Sequence, residues 1–162
     1  EVITRNKPGG FALSRHNLPV FDRNECANAD GVARGAYTIW HTSKDPDVIL
    51  IATGSEVHLA IAAARLLAAD NIHARVVSAP CLEWFDEQND SYKESVLPKR
   101  IRARVSVEAG VGSGWHKYVG DDGEIISLEH FGASASAGTL FKEYGFTAEN
   151  IVLAAKRTIS RK

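Results

Sequence analysis

The chain has 162 residues, 44% of them hydrophobic and 24% charged, with a formal net charge of -1. This is enough chain for one full core, and the balance is ordinary for a globular protein. The near-neutral charge gives no electrostatic case for nucleic acid or an acidic membrane surface, and no apolar run approaches the ~20 residues of a membrane helix.

The first 20 residues differ from the rest. Lys7-Pro8-Gly9-Gly10 reads as a turn, residues 11–14 as a short strand, and Arg15-His16-Asn17-Leu18-Pro19 as the loop that leaves it. Residues 21–34 are polar and without periodicity, which is the character of a linker. The expected division is therefore the end of one domain at 1–20, a linker at 21–34 and a second domain at 35–162.

The second domain opens with a strand at 36–40 and a turn at 43–46. Val48–Ala52 is an apolar run suited to a buried parallel strand. Thr53 and Glu56 have the spacing of a capping box. Val57, Ala60, Ile61, Ala64, Leu67 and Ala68 recur on one helical face, and Asn71 is the expected stop. Ala74–Ser78 returns as a β-branched strand, parallel to the first. A helix over 86–96, a strand over 103–108, a short helix near 115–118, a strand over 125–128 and helices over 135–144 and Ala148–Ile159 follow, the last entered through Thr147 with Glu149 in its first turn. This alternation predicts an α/β fold, a three-layer α/β/α sandwich on a mostly parallel sheet of roughly five strands.

Chemistry-bearing motifs are sparse. Thr53, Gly54 and Ser55 stand at a strand-to-helix turn, where backbone amides can hold phosphate. No Walker lysine follows, and helix capping alone accounts for these residues. Gly110-Val111-Gly112-Ser113-Gly114 with Glu129 about 20 residues on imitates a dinucleotide fingerprint. The spacing is GxGxG, however, and Gly120-Asp121-Asp122-Gly123 interrupts the crossover helix. The six histidines show no metal-ligand spacing. Asp86, Glu87 and Asp90 suit a helix start, and Trp84, Phe85, Trp115 and Tyr118 fit either a partner surface or the core. Cys26 and Cys81 lack CxxC or zinc spacing and read as reduced thiols of a cytoplasmic protein, with a disulfide between them left open. Arg15 follows a short strand and presents a guanidinium that clamps a phosphate or forms a surface ion pair. The chain contains no methionine and starts at Glu1, so it is expected to be a piece of a longer polypeptide.

ALSRHNLPV resembles the end of the middle, pyrimidine-binding domain of transketolases. DVILIATGSEVHLAIAAARLL resembles the opening of their C-terminal domain, and CLEWFDEQNDSYKESVLP, ARVSVEAGVGSGWHKYVG and HFGASASAGTLFKEYGFTAENIVLAAK continue it in order. The resemblance implies a parent enzyme of the pentose phosphate pathway that moves a two-carbon ketol unit between sugar phosphates. It implies thiamine diphosphate and a divalent metal, Mg or Ca, in the parent, held outside this segment. It also implies a homodimer, with sugar phosphates as substrates and no nucleic acid or membrane partner. No catalytic, cofactor-binding or metal-ligating residue carries over, and the segment alone is expected to be inactive, serving structure and dimerisation. One site residue does carry over: Arg15 stands at the arginine of the SRxN loop, which contacts substrate phosphate. His16 replaces a usual glutamine, and Ser134-Ala135-Ser136 stands where SAP is frequent. The alternatives are an independently folded regulatory module binding an anion or nucleotide at Thr53–Ser55 or Gly110–Gly114, and the same domain of another thiamine diphosphate enzyme. The SRHNLP loop argues against a deoxyxylulose-phosphate synthase.

Overall fold

Val48, Leu50 and Ala52 point to one side of the central strand, Ile49 and Ile51 to the other, and all five are buried. A strand buried on both faces needs a helical layer on each side. The computed structural model describes residues 1–161; Lys162, the last residue of the expected second domain, lies outside the described residues. The strands are β1 (Tyr37–His41), β2 (Val48–Ala52), β3 (Ala74–Ser78), β4 (Arg104–Val107) and β5 (Glu124–Ile126). They form one sheet in the order β1-β3-β2-β4-β5. β2, β3, β4 and β5 run parallel, and β1 lies antiparallel on the edge against β3.

The helices are α1 (Val57–Ala69), α2 (Leu82–Asp86), α3 (Asp90–Val96), α4 (His116–Val119), α5 (Ala137–Glu143) and α6 (Ala148–Ile159). α1 and α6 bury Ala60, Ala64, Leu67, Ile151 and Ala155 against the Leu50 face, and Phe141 of α5 joins them. Phe85, Val96, Trp115, Tyr118 and Val119 cover the opposite face. The α/β/α sandwich with a mostly parallel five-stranded sheet is thus the observed architecture. Three of the four interface aromatics are core residues; the fourth, Trp84, is half-buried beneath the Arg5 guanidinium, 4.1 Å from its ring.

Several local expectations are corrected. Residues 11–14 form no strand, and Phe11 and Leu13 are exposed without a partner strand. Within the expected linker 21–34 there is local structure: Ala29–Arg34 is a 3-10 helix, Cys26 is buried, and the Ala27 N–H donates to the Ile39 carbonyl at 2.8 Å. Both cysteines are free thiols. The expected 86–96 helix begins later, at Asp90: α2 ends at Asp86, and the Asn89 side chain accepts from the Tyr92 N–H and starts α3. The capping box does not form. A 3-10 turn, Gly54–Glu56, separates β2 from α1, so Glu56 itself occupies the N-cap and the Thr53 hydroxyl caps nothing.

Other signals are realised closely. Asn71 adopts φ 58, its N–H donates to the Ala68 carbonyl and that of Ile72 to Leu67, both at 3.0 Å. This is a Schellman stop. Thr147 caps α6 by accepting from the Asn150 N–H. Ser136 caps α5 by accepting from the Thr139 N–H.

Candidate functional site

In a doubly wound sheet, ligands bind beyond the carboxyl ends of the strands where the strand order reverses. Here that point lies between β2 and β4. The Thr53–Glu56 turn leaves β2 on one side, and the Glu108–Gly112 loop leaves β4 on the other. Both phosphate-like motifs of the sequence therefore meet at one crevice.

Carboxylates of the chain occupy that crevice. Glu56 is only 4% exposed, and its Oε1 accepts the Ser55 hydroxyl at 3.0 Å. Burial pushes its carboxyl above the usual range; the Ser55 hydroxyl and the backbone N–H groups of Glu56 and Ala109 pull the other way, and Glu108 adds a repulsion that raises it further. Glu108 in turn accepts the Trp115 indole N–H at 2.6 Å. Glu129 accepts the Gly112 N–H at 2.8 Å and the Ser127 hydroxyl at 2.7 Å, and these bonds, the hydroxyl first, hold its carboxyl below the usual range. A Cβ on Gly112 would stand 2.7 Å from Ser127 Oγ and 2.9 Å from Glu129 Oε1, so the close approach requires glycine. The imitation of a dinucleotide fingerprint is a self-bonded turn. Its acidic residue folds back onto the glycine loop instead of waiting for a ribose. Sequence reasoning missed Glu108 and the burial of Glu56; the available signal was a glutamate placed just past each of two apolar strands.

Arg15 lies elsewhere. It is exposed, in a stretch from 8 to 22 without helix or strand, and makes no hydrogen bond or ion pair among the described residues. The surface ion pair weighed from sequence is therefore not formed. The neighbouring His16 packs edge-on against Phe141, with ring centroids 5.6 Å apart. Together with Asn17, Pro19, His58 and Gly138 they line a cleft of about 220 Å³. Burial, and then the nearby His16, lower the pKa of His58. A second anchor was not legible in sequence: Arg5 donates to Glu87 at 2.8 Å and to the Ala33 carbonyl at 3.0 Å.

A cleft of about 480 Å³ between α2, α3 and α4 offers no free cationic clamp from Lys117 or Arg104. Asp86 Oδ2 holds Lys117 at 2.7 Å and the Tyr118 hydroxyl at 3.0 Å, and the Arg104 guanidinium is taken up by four backbone carbonyls. Among the described residues no group of three or more His, Cys, Asp or Glu side chains is placed to hold a metal ion, and Asp122 is paired with Arg102 at 2.6 Å. These residues do not fit a metal-bound cofactor. No helix among the described residues is long and apolar enough to cross a membrane.

Comparison with known proteins adds three findings. The family model for the transketolase-like C-terminal domain matches residues 35–147. A transketolase of Mycobacterium bovis is 54% identical over 157 residues, covering 94% of this chain and 22% of its own length; transketolase 1 of Escherichia coli is 48% identical, covering 98% and 24%. Among solved structures, a transketolase of Pichia stipitis in complex with sedoheptulose 7-phosphate superposes with a TM-score of 0.81 at 37% identity, covering 91% of this chain and 21% of that one. The chain thus spans under a quarter of the length of these relatives.

Proposed function

The chain belongs to the transketolase family and carries its C-terminal domain, and from that premise we propose that it works as the non-catalytic end of an enzyme transferring a two-carbon ketol group between sugar phosphates. In this reading the parent is a cytoplasmic homodimer of the pentose phosphate pathway. It uses thiamine diphosphate, which supplies the carbanion chemistry, with Mg or Ca. Those groups are held by segments outside this chain. Residues 1–20 close the middle domain, 21–34 cross over, and 35–162 support the fold and the dimer.

Arg15 is the residue assigned to substrate, as the clamp on the sugar phosphate. The observation that carries this is its exposed guanidinium, free of any partner among the described residues, in the SRHN loop. A fixed fork of donors without an internal carboxylate suits a phosphate. The sugar phosphate bound by the Pichia relative supports the same ligand class.

The test is Arg15→Ala in the full-length enzyme. KM for phosphorylated substrates should rise by roughly 10- to 150-fold, the equivalent of about 1.5–3 kcal/mol for one charge-assisted contact, while unphosphorylated acceptors change little. An equal effect on both substrate classes removes the phosphate role. The isolated chain, given thiamine diphosphate, metal, xylulose 5-phosphate and ribose 5-phosphate, should show no turnover; turnover would overturn the non-catalytic assignment.

A further inference from the structure

The crevice at the reversal of strand order has the build of a ligand site, yet a side chain of the same polypeptide fills it. Ser55 and Glu56 come from the β2 side and Ala109 and Glu108 from the β4 side. Gly54, at φ 53, turns the chain so that Glu56 reaches inward while its own helix begins at Val57. The Glu56 carboxyl is more than nine-tenths buried, bonded to Ser55 and faced by the Ala109 N–H. An ordinary N-cap side chain sits at the surface and accepts from its own helix; this one accepts no such bond.

We propose that this crevice is a carboxyl-binding site occupied in cis by Glu56, an internal ligand that keeps small free oxyanions out. The class of molecule the vacated site takes follows from the missing atoms. Glu56→Ala removes one CH2–COO unit, and acetate is that unit with one added hydrogen. A phosphate is tetrahedral and carries more charge into a place where burial already disfavours one carboxylate, so acetate is the better occupant. Glu108 is the charged group acting on Glu56 from the facing loop, Ser55 and Ala109 supply neutral donors, and His58 lies two residues on, in the first turn of α1. Glu108 is itself tied to Trp115, so its side chain stays beside the vacated site. Acetic acid should therefore enter more readily than acetate, and binding should strengthen as pH falls from 7.5 to 5.

The experiment compares thermal unfolding of the intact chain and its Glu56→Ala variant in sodium acetate and in sodium chloride of equal ionic strength. Acetate at about five times its dissociation constant should raise the variant's Tm by about 2–4 °C, more at pH 5 than at pH 7.5, and leave the unsubstituted chain unmoved. The proposal falls if acetate and chloride act alike on the variant, or if the unsubstituted chain responds equally. Should Glu56→Ala not fold, Glu56→Gln keeps the volume and an acceptor for Ala109. Its Tm relative to the unsubstituted chain should then climb as pH rises from 5 to 8, because only the native side chain ionises in the buried site. A flat difference would overturn the proposal. Titration of the unsubstituted chain with inorganic phosphate should give no saturable heat, and saturable binding lost on adding acetate would sink it too.

Discussion

At the scale of single residues, backbone geometry decides more than side-chain identity. Asn71 and Gly145 end α1 and α5 in the same way, both at positive φ, with paired bonds back to the last turn. Asn71→Gly should therefore be tolerated. Asn71→Val, a β-branched residue in the left-handed region, should cost about 1–2 kcal/mol in urea unfolding. Ser106 is the reverse case: fully buried, its hydroxyl has no partner. Ser106→Ala should leave stability unchanged or raise it by up to about 1 kcal/mol in the same measurement, since an unpaired buried hydroxyl is removed. Asn71 was legible in the sequence because a stop signal follows directly from an apolar helical stripe. Glu56 was not: a capping box and an inward-facing carboxyl share the same letters, and a three-residue 3-10 turn separates them.

Among the elements, strands and helices that close a core announced themselves. The β2–α1–β3 unit and the limits of α6 match the periodicity because an apolar stripe must face the sheet along its whole length. The division between α2 and α3 depended on one Asn89 side chain, and periodicity does not report such breaks. β5 is only three residues long and lies on the sheet edge. Glu124 ties it to α6 through Arg157 and to the residues just past that helix through Arg161, both at 2.6 Å. The Arg157 hydrogen bond foremost, outweighing partial burial, holds the Glu124 carboxyl below the usual range. A depressed folded-state pKa contributes stability above the unfolded value of 4.5, and that contribution is lost as pH falls through the folded value. Glu124→Gln should lower stability at pH 7 by about 1 kcal/mol, the modest figure for a pair whose arginine partners are exposed. Variant and unsubstituted chain should converge in stability as pH falls from 4.5 through the folded value, which denaturant titration at several pH values would reveal.

Over the whole molecule, order is distributed unevenly. The sheet and its flanking helices bury a two-sided core, whereas residues 8–22 carry Phe11, Leu13 and Val20 in the open. Brief trypsin treatment should cut first after Arg15, since Lys7 precedes a proline, Arg5 is bonded, and Arg75 and Arg104 are half-buried. Mass spectrometry should find a large fragment beginning at His16; an initial cut within the sheet would contradict this order of stability. Fold class was readable at this scale because alternating apolar runs and stripes permit few layer arrangements. The direction of β1 was not, because a strand looks the same on paper whichever way it runs.

That direction governs where the preceding chain arrives. Tyr37, the first residue of β1, pairs with Ser78, the last residue of β3, and the Cys81 N–H donates to the Gly35 carbonyl. The polypeptide consequently enters this domain at the same rim from which β2, β3, β4 and β5 exit. Were β1 parallel, the entry point would move by one strand length, about 17 Å, to the opposite rim. A single reversed edge strand therefore routes the Arg15 segment to its side of the domain without any crossover helix, and a change of even one β1 register pair would shift the whole incoming chain along that rim.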